Sequence, residues 1–184
     1  LLTRAVKEQK IKLAAIGINH CFHDSVASLD GFLTREGISE VKIGLDCDIT
    51  DGEGKYQKNL SQYASVYHSN KDAEDAVRLY RKILAESNEK VEIVEIGFLH
   101  VIAKVLESGP DDISNLTGME LLREKAAKLW VMAGKWDQYG GSEYNMVFNS
   151  ITRRASHILC EKCPIPITFL GWEVGHDVIT GNAL

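Results

Sequence analysis

Proline and cysteine are scarce, at three and four in 184 residues. Four cysteines do not make a disulfide scaffold. Only Cys160 and Cys163 have CxxC spacing. A zinc site needs about four ligands, and no second CxxC or HxxxH pair completes one. The pair therefore reads as two ordinary thiols near a helix end, with a redox pair as the alternative. His20, His23 and Asp24 form an HxxHD cluster that reads as a loop or helix start rather than a metal site. No apolar run reaches the ~18 residues of a membrane span. Net charge is −5, and no basic block interleaves with aromatics, which excludes the usual nucleic-acid footprint. Phosphate loops (GxxxxGK[ST], GxGxxG) and the GxSxG elbow are also missing. Leu1 and Leu2 give way at once to charged residues, unlike a signal peptide. Nothing argues for secretion, and a cytoplasmic location is the expectation. With no initiator Met and an opening inside the helix-like LLTRAVKEQ, the chain is expected to begin partway through a longer polypeptide.

What is present is a 45% hydrophobic chain of the size of one domain, 1–184. Residues 2–10 read as the tail of a helix. KLAAIGIN (12–19) is a buried strand, and Asp24 to Arg35 a helix stopped by Gly37. VKIGL (41–45) is a second strand. The acidic loop 46–55 follows, with Asp46, Asp48 and Asp51. The calcium loop of an EF-hand wants glycine where Asp51 stands and glutamate where Gln57 stands, so a solvated surface loop is expected. Residues 56–66 look helical. Asp72 to Ser87 shows the clearest amphipathic period. VEIVEIGFL (91–99) alternates and turns at Gly97 into a helix. Gly109-Pro110-Asp111-Asp112 is a turn. Helix 118–128, strand 129–133, helix 151–160 and strand 165–171 complete the order. Alternating strands and helices with short connections predict an α/β fold, three-layer, with a mostly parallel doubly wound sheet.

The stretch from Leu129 to Asn145, LWVMAGKWDQYGGSEYN, draws the functional attention. A buried strand breaks at Ala133-Gly134, and Glu143 and Asn145 arrive just before the next helical run. Such a break puts polar groups at the carboxyl edge of a sheet, where open α/β folds bind ligands. A carboxylate that accepts and an amide that does both suit a polyol. Equally, the two residues read as the cap of the following helix.

Four pieces of the chain resemble the inosine-uridine preferring nucleoside hydrolases, in that family's order and separations from Lys12 to Gly181. AEDAVRLYRKILAES is similar to the family's helix before its third strand. VEIVEIGFLHVIAKVLES resembles the third strand and the helix after it. KLWVMAGKW…GGSEYN is similar to the methionine-glycine-glycine strand end with its Glu-x-Asn motif. CPIPITFLGWEVGHDVITG looks like the proline-flanked strand and Glu-Val-Gly segment.

The resemblance implies a nucleoside hydrolase-like fold and hydrolysis of the N-glycosidic bond of ribonucleosides to free base and ribose. It implies a Ca2+ ion gripping the sugar hydroxyls and a water, a role in purine or pyrimidine salvage, and a homo-oligomer. It places ribose contacts at Glu143, Asn145 and Asn19, and a calcium-binding backbone carbonyl at His100; Asn149 becomes a cap. The small-molecule partner is a nucleoside or ribose. The departures are large. The DxDxGxDD signature is absent, DCDITD follows the wrong strand to replace it, and Lys135 and Ala133 stand where the family has glycines. The family's C-terminal third is missing too. No catalytic residue is therefore assigned in this chain, which looks like the central portion of such a domain. A catalytically inactive sugar- or nucleoside-binding protein on the same fold is the second reading, and an unrelated α/β domain the third.

Overall fold

The computed structural model describes residues 2–38, 40–50, 54, 56–136 and 142–178. Contacts divide the chain into two compact units, Leu1–Ile83 and Leu84–Leu184. Each carries a three-stranded sheet, and every strand pairing is parallel. Parallel neighbours need a crossover between them, and helices supply it.

In the first unit the order is α1 (Leu2–Lys7), β1 (Ala15–Ile18), α2 (Ser25–Arg35), β2 (Lys42–Leu45), α3 (Gln57–Ser61), a 3-10 turn at Asn70–Asp72, and β3 (Glu74–Asp75). The sheet runs β1-β2-β3, with Ala15 opposite Lys42 and Ile18 opposite Leu45. Val26 and Leu33 of α2 meet Ile38, Val41 and Ile43 in a dry core, as the helical spacing of the apolar residues predicts. Helix α4 (Ala76–Glu86) starts four residues later than its amphipathic period suggests. Ser69 and Asp72 close a capping box on the 3-10 turn, and Glu74 and Asp75 then pair with Gly44 and Leu45. Local polar bonds and a ladder thus override periodicity at that end.

A buried acid of this unit ties α2 to the chain at Ser65 and Val66. Asp30 of α2 is 6% exposed, and its Oδ2 accepts from the backbone N–H of Ser65 and Val66 at 2.5 and 2.9 Å. Removing it leaves two donors unsatisfied. Asp30→Ala is expected to cost about 1–3 kcal/mol in urea unfolding, and an unchanged midpoint contradicts the assignment.

In the second unit the order is β4 (Val91–Glu95), α5 (His100–Glu107), α6 (Gly118–Lys125), β5 (Ala126–Met132), α7 (Tyr144–Val147), α8 (Ser150–Lys162), β6 (Ile167–Leu170) and α9 (Trp172–His176). The sheet runs β4-β5-β6, with Glu95 opposite Val131 and Val131 opposite Phe169. Leu129 and Val131 are fully buried, as are Val105 of α5 and Leu159 of α8, two helices that pack on each other. The alternate residues face outward, Val94 at 58% exposure. Strand β5 starts three residues earlier than predicted, because Ala126 is buried and pairs with Val91. Among the described residues, no helix is long and apolar enough to cross a membrane.

Candidate functional site

Strand β5 ends as its sequence predicts. Ala133 is fully buried, and its N–H donates to the Leu170 carbonyl at 3.1 Å. Gly134 then adopts φ +92°, a region side chains rarely enter, so the break needs a glycine. Its carbonyl accepts from the Trp172 N–H at 2.9 Å, tying the end of β5 to the start of α9. The loop 137–141 lies outside the described residues.

Where the chain returns, Glu143 is the N-cap of α7. Its Oε1 accepts from the Asn145 N–H at 2.9 Å. Its Oε2 accepts from the N–H groups of Met146 and Gly134, both at 3.3 Å. Asn145 Nδ2 donates to the Met132 carbonyl at 2.9 Å. Glu143 and Asn145 are thus brought together at the carboxyl edge of β5, each binding the strand end. They also do what the capping reading predicts. Three N–H groups occupy three of the roughly four acceptor positions of a carboxylate. Asn149 caps α8 in a reciprocal box with Thr152, as expected.

Glu143 lines a cleft of about 450 Å3 together with Gly134, Lys135, Trp136, Arg153 and Ser156, among others. Beside it Tyr144 packs tilted against Phe148 (4.8 Å between ring centres), and both meet Phe98, which precedes α5 and stacks on Phe148. A second, shallower hollow of about 380 Å3 lies against Trp136, Phe169 and Glu173; Glu173 accepts from the Trp136 N–H at 2.6 Å.

The carboxyl edge of β4 holds a residue that the sequence reading did not single out. Glu95 is 4% exposed, and its Oε1 has no hydrogen-bond partner. Burial pushes its pKa from the usual carboxyl range up to about 8, so the group is held neutral at pH 7. His100, the proposed carbonyl ligand, is the first residue of α5 and 2% exposed, with its ring 6.4 Å from that of Phe98.

Asn19 follows β1 and so belongs to the first unit. Two residues on, Cys21 is disulfide-bonded to Cys47 in the loop after β2, a cross-link that cysteine counting did not anticipate. The Cys21 N–H also donates to the Ile49 carbonyl at 2.9 Å. In the 46–50 part of the acidic loop Cys47, Asp48 and Thr50 are exposed, as expected of a solvated segment, and two residues are not. Asp46 is 4% exposed and accepts from the Asp48 N–H, and Ile49 is buried. Residues 51–53 and 55 lie outside the described set. Asp24 holds the N-cap position of α2, so the HxxHD cluster is a helix start. Cys160 and Cys163 are free thiols, and burial raises both pKa values, which keeps them poor nucleophiles. Among the described residues no three His, Cys, Asp or Glu side chains gather into a metal site. The calcium ligands that the resemblance implies belong mostly to segments beyond those described, with the His100 carbonyl as the expected exception.

No family model and no curated protein matches the sequence. Solved structures do match. The type III effector protein XopQ, solved in complex with adenosine diphosphate ribose, superimposes with a TM-score of 0.63 over 92% of this chain at 18% identity. The effector protein XOO4466 gives 0.62 over 92% at 17% identity. The chain spans about half the length of each, 50% and 49%. At these identities the likeness is one of fold alone, and the fold is α/β, as the sequence motifs imply.

Proposed function

We propose that this chain is the pentose-gripping part of a ribonucleoside hydrolase, with Glu143 and Asn145 contacting the sugar from the carboxyl edge of β5. The observation that carries it is local. A buried carboxylate and an amide, two residues apart, meet beside the Gly134 break, and the carboxylate lines a cleft large enough for a sugar. Backbone N–H groups orient Glu143 before any ligand arrives, which lowers the cost of binding. Ligands of open α/β sheets lie at this edge.

Hydrolysis of the N-glycosidic bond, calcium dependence, a role in salvage and homo-oligomer formation are proposals for the whole protein. The oxocarbenium-like transition state of such a reaction gains from carboxylates near the ribose. His100 is proposed to lend its backbone carbonyl, and Asn19 to contact ribose. A sugar- or nucleoside-binding protein without catalysis is the second reading. One observation favours it: a similar fold has been solved with a ribose-containing nucleotide.

The decisive assay is calcium-dependent release of free base from inosine or uridine by the full-length protein. Release supports the hydrolase; ribose or nucleoside binding without release supports the binding protein. In either case Glu143→Gln and Asn145→Ala are expected to weaken ribose binding about tenfold or more, a loss of ~1.4 kcal/mol or above. Unchanged affinity in folded variants sinks the pentose site.

A further inference from the structure

Two cations share the cleft with Glu143. Lys135 directly follows the Gly134 break, with its ammonium 5.6 Å from the centre of the Trp172 ring. Arg153 lies in the opening turns of α8, where the helix dipole disfavours positive charge and no acidic residue stands in the first turn. Its neighbour Arg154 spans to Glu107 at 3.5 Å. Arg153 forms no ion pair among the described residues. An exposed cation that lines a cleft against the helix dipole is placed where local helix rules disfavour it, and such departures concentrate at binding sites.

Among the described residues Glu143 is the one acid lining the cleft, its oxygens already accept three backbone N–H groups, and Lys135 and Arg153 line it too. The hydroxyl of Ser142 borders the cleft as well.

From this we infer that the cleft takes a phosphorylated pentose: the sugar hydroxyls toward Glu143, the phosphate on Arg153 and Lys135. Arginine suits phosphate through its planar pair of donors, and lysine adds a point charge. This assignment rests on the pentose site proposed above and narrows it from neutral sugars to sugar phosphates.

The test is calorimetric titration of the full-length protein with ribose 5-phosphate, ribose and inorganic phosphate. Ribose 5-phosphate is expected to bind at least about tenfold tighter than ribose at low salt, and the gap to shrink as salt rises. Arg153→Gln should close most of that gap. Arg154→Gln, next in sequence but committed to Glu107, should leave it open. Equal affinity for the two sugars overturns the phosphate assignment and leaves the pentose site standing. Failure of both sugars to bind overturns the two together. Inorganic phosphate binding as tightly as ribose 5-phosphate overturns it too, since the sugar then contributes nothing. So does an equal loss in Arg153→Gln and Arg154→Gln, which would mark diffuse surface charge.

Discussion

Glu95→Gln is expected to leave the protein's stability nearly unchanged at pH 4 and to raise it by several kcal/mol at pH 8 and above. The sign follows from the direction of the shift. Burial lifts the folded-state pKa of Glu95 from 4.5 to about 8, and no ion pair among the described residues offsets it. Below about 4.5 the group is neutral in both states, so its burial costs no ionisation. Between 4.5 and 8 the unfolded chain ionises while the folded one does not, and stability falls by about 1.4 kcal/mol per pH unit. Above 8 the loss levels off. Glutamine has the same shape and does not titrate, so the wild-type and variant curves should diverge over that window and run parallel beyond it. Urea midpoints at half-unit steps from pH 4 to 9 give the comparison. Curves that stay parallel throughout would show that Glu95 is solvated or paired, and the assignment would fail.

Replacing Cys21 and Cys47 by serine should lower the stability of the first unit by about 3 kcal/mol. The cross-link joins residues 26 apart, and a closed loop of that size removes roughly this much unfolded-state entropy in the chain-entropy treatment. Reduction of the wild-type protein should reproduce the loss, and the double variant should then be insensitive to reductant. Cys160→Ser and Cys163→Ser are the controls: both thiols are free, and their removal should leave the reductant response intact. A wild-type protein whose unfolding ignores reductant would count against the disulfide. Disulfides persist in oxidising surroundings, so the number of free thiols in protein isolated from its source bears directly on the cytoplasmic expectation.

Much of the architecture was legible because apolar period and glycine placement agreed. The strands around Ile16, Ile43, Ile93, Val131 and Phe169 all appear, and the chain leaves β5 at Gly134 as the break predicts. Glu143 and Asn145 were legible as a pair because two polar residues after a strand end have few places to go. Three features escaped. The pairing of Cys21 with Cys47 depends on two loops meeting at neighbouring strand ends, which no spacing along the chain encodes. The two-residue strand at Glu74 and Asp75 is too short to carry a period, and its polar residues read as a helix start. Glu95 was there to be found. In a strand, residues three apart face opposite sides, so Glu92 and Glu95 cannot both point outward. Glu92 takes the open face and receives the Trp130 indole N–H at 2.8 Å; Glu95 goes in.

The hydrogen bond from Gly134 to Glu143 makes one main-chain proton a built-in gauge of occupancy. Any guest that draws electron density from that carboxylate must loosen its hold on the glycine amide, and the amide's NMR resonance should move upfield in step with saturation. Glycine amides resonate in an uncrowded region of a nitrogen–proton spectrum, so the signal can be followed without labelling the guest. A hollow filled elsewhere along its wall would leave that resonance still.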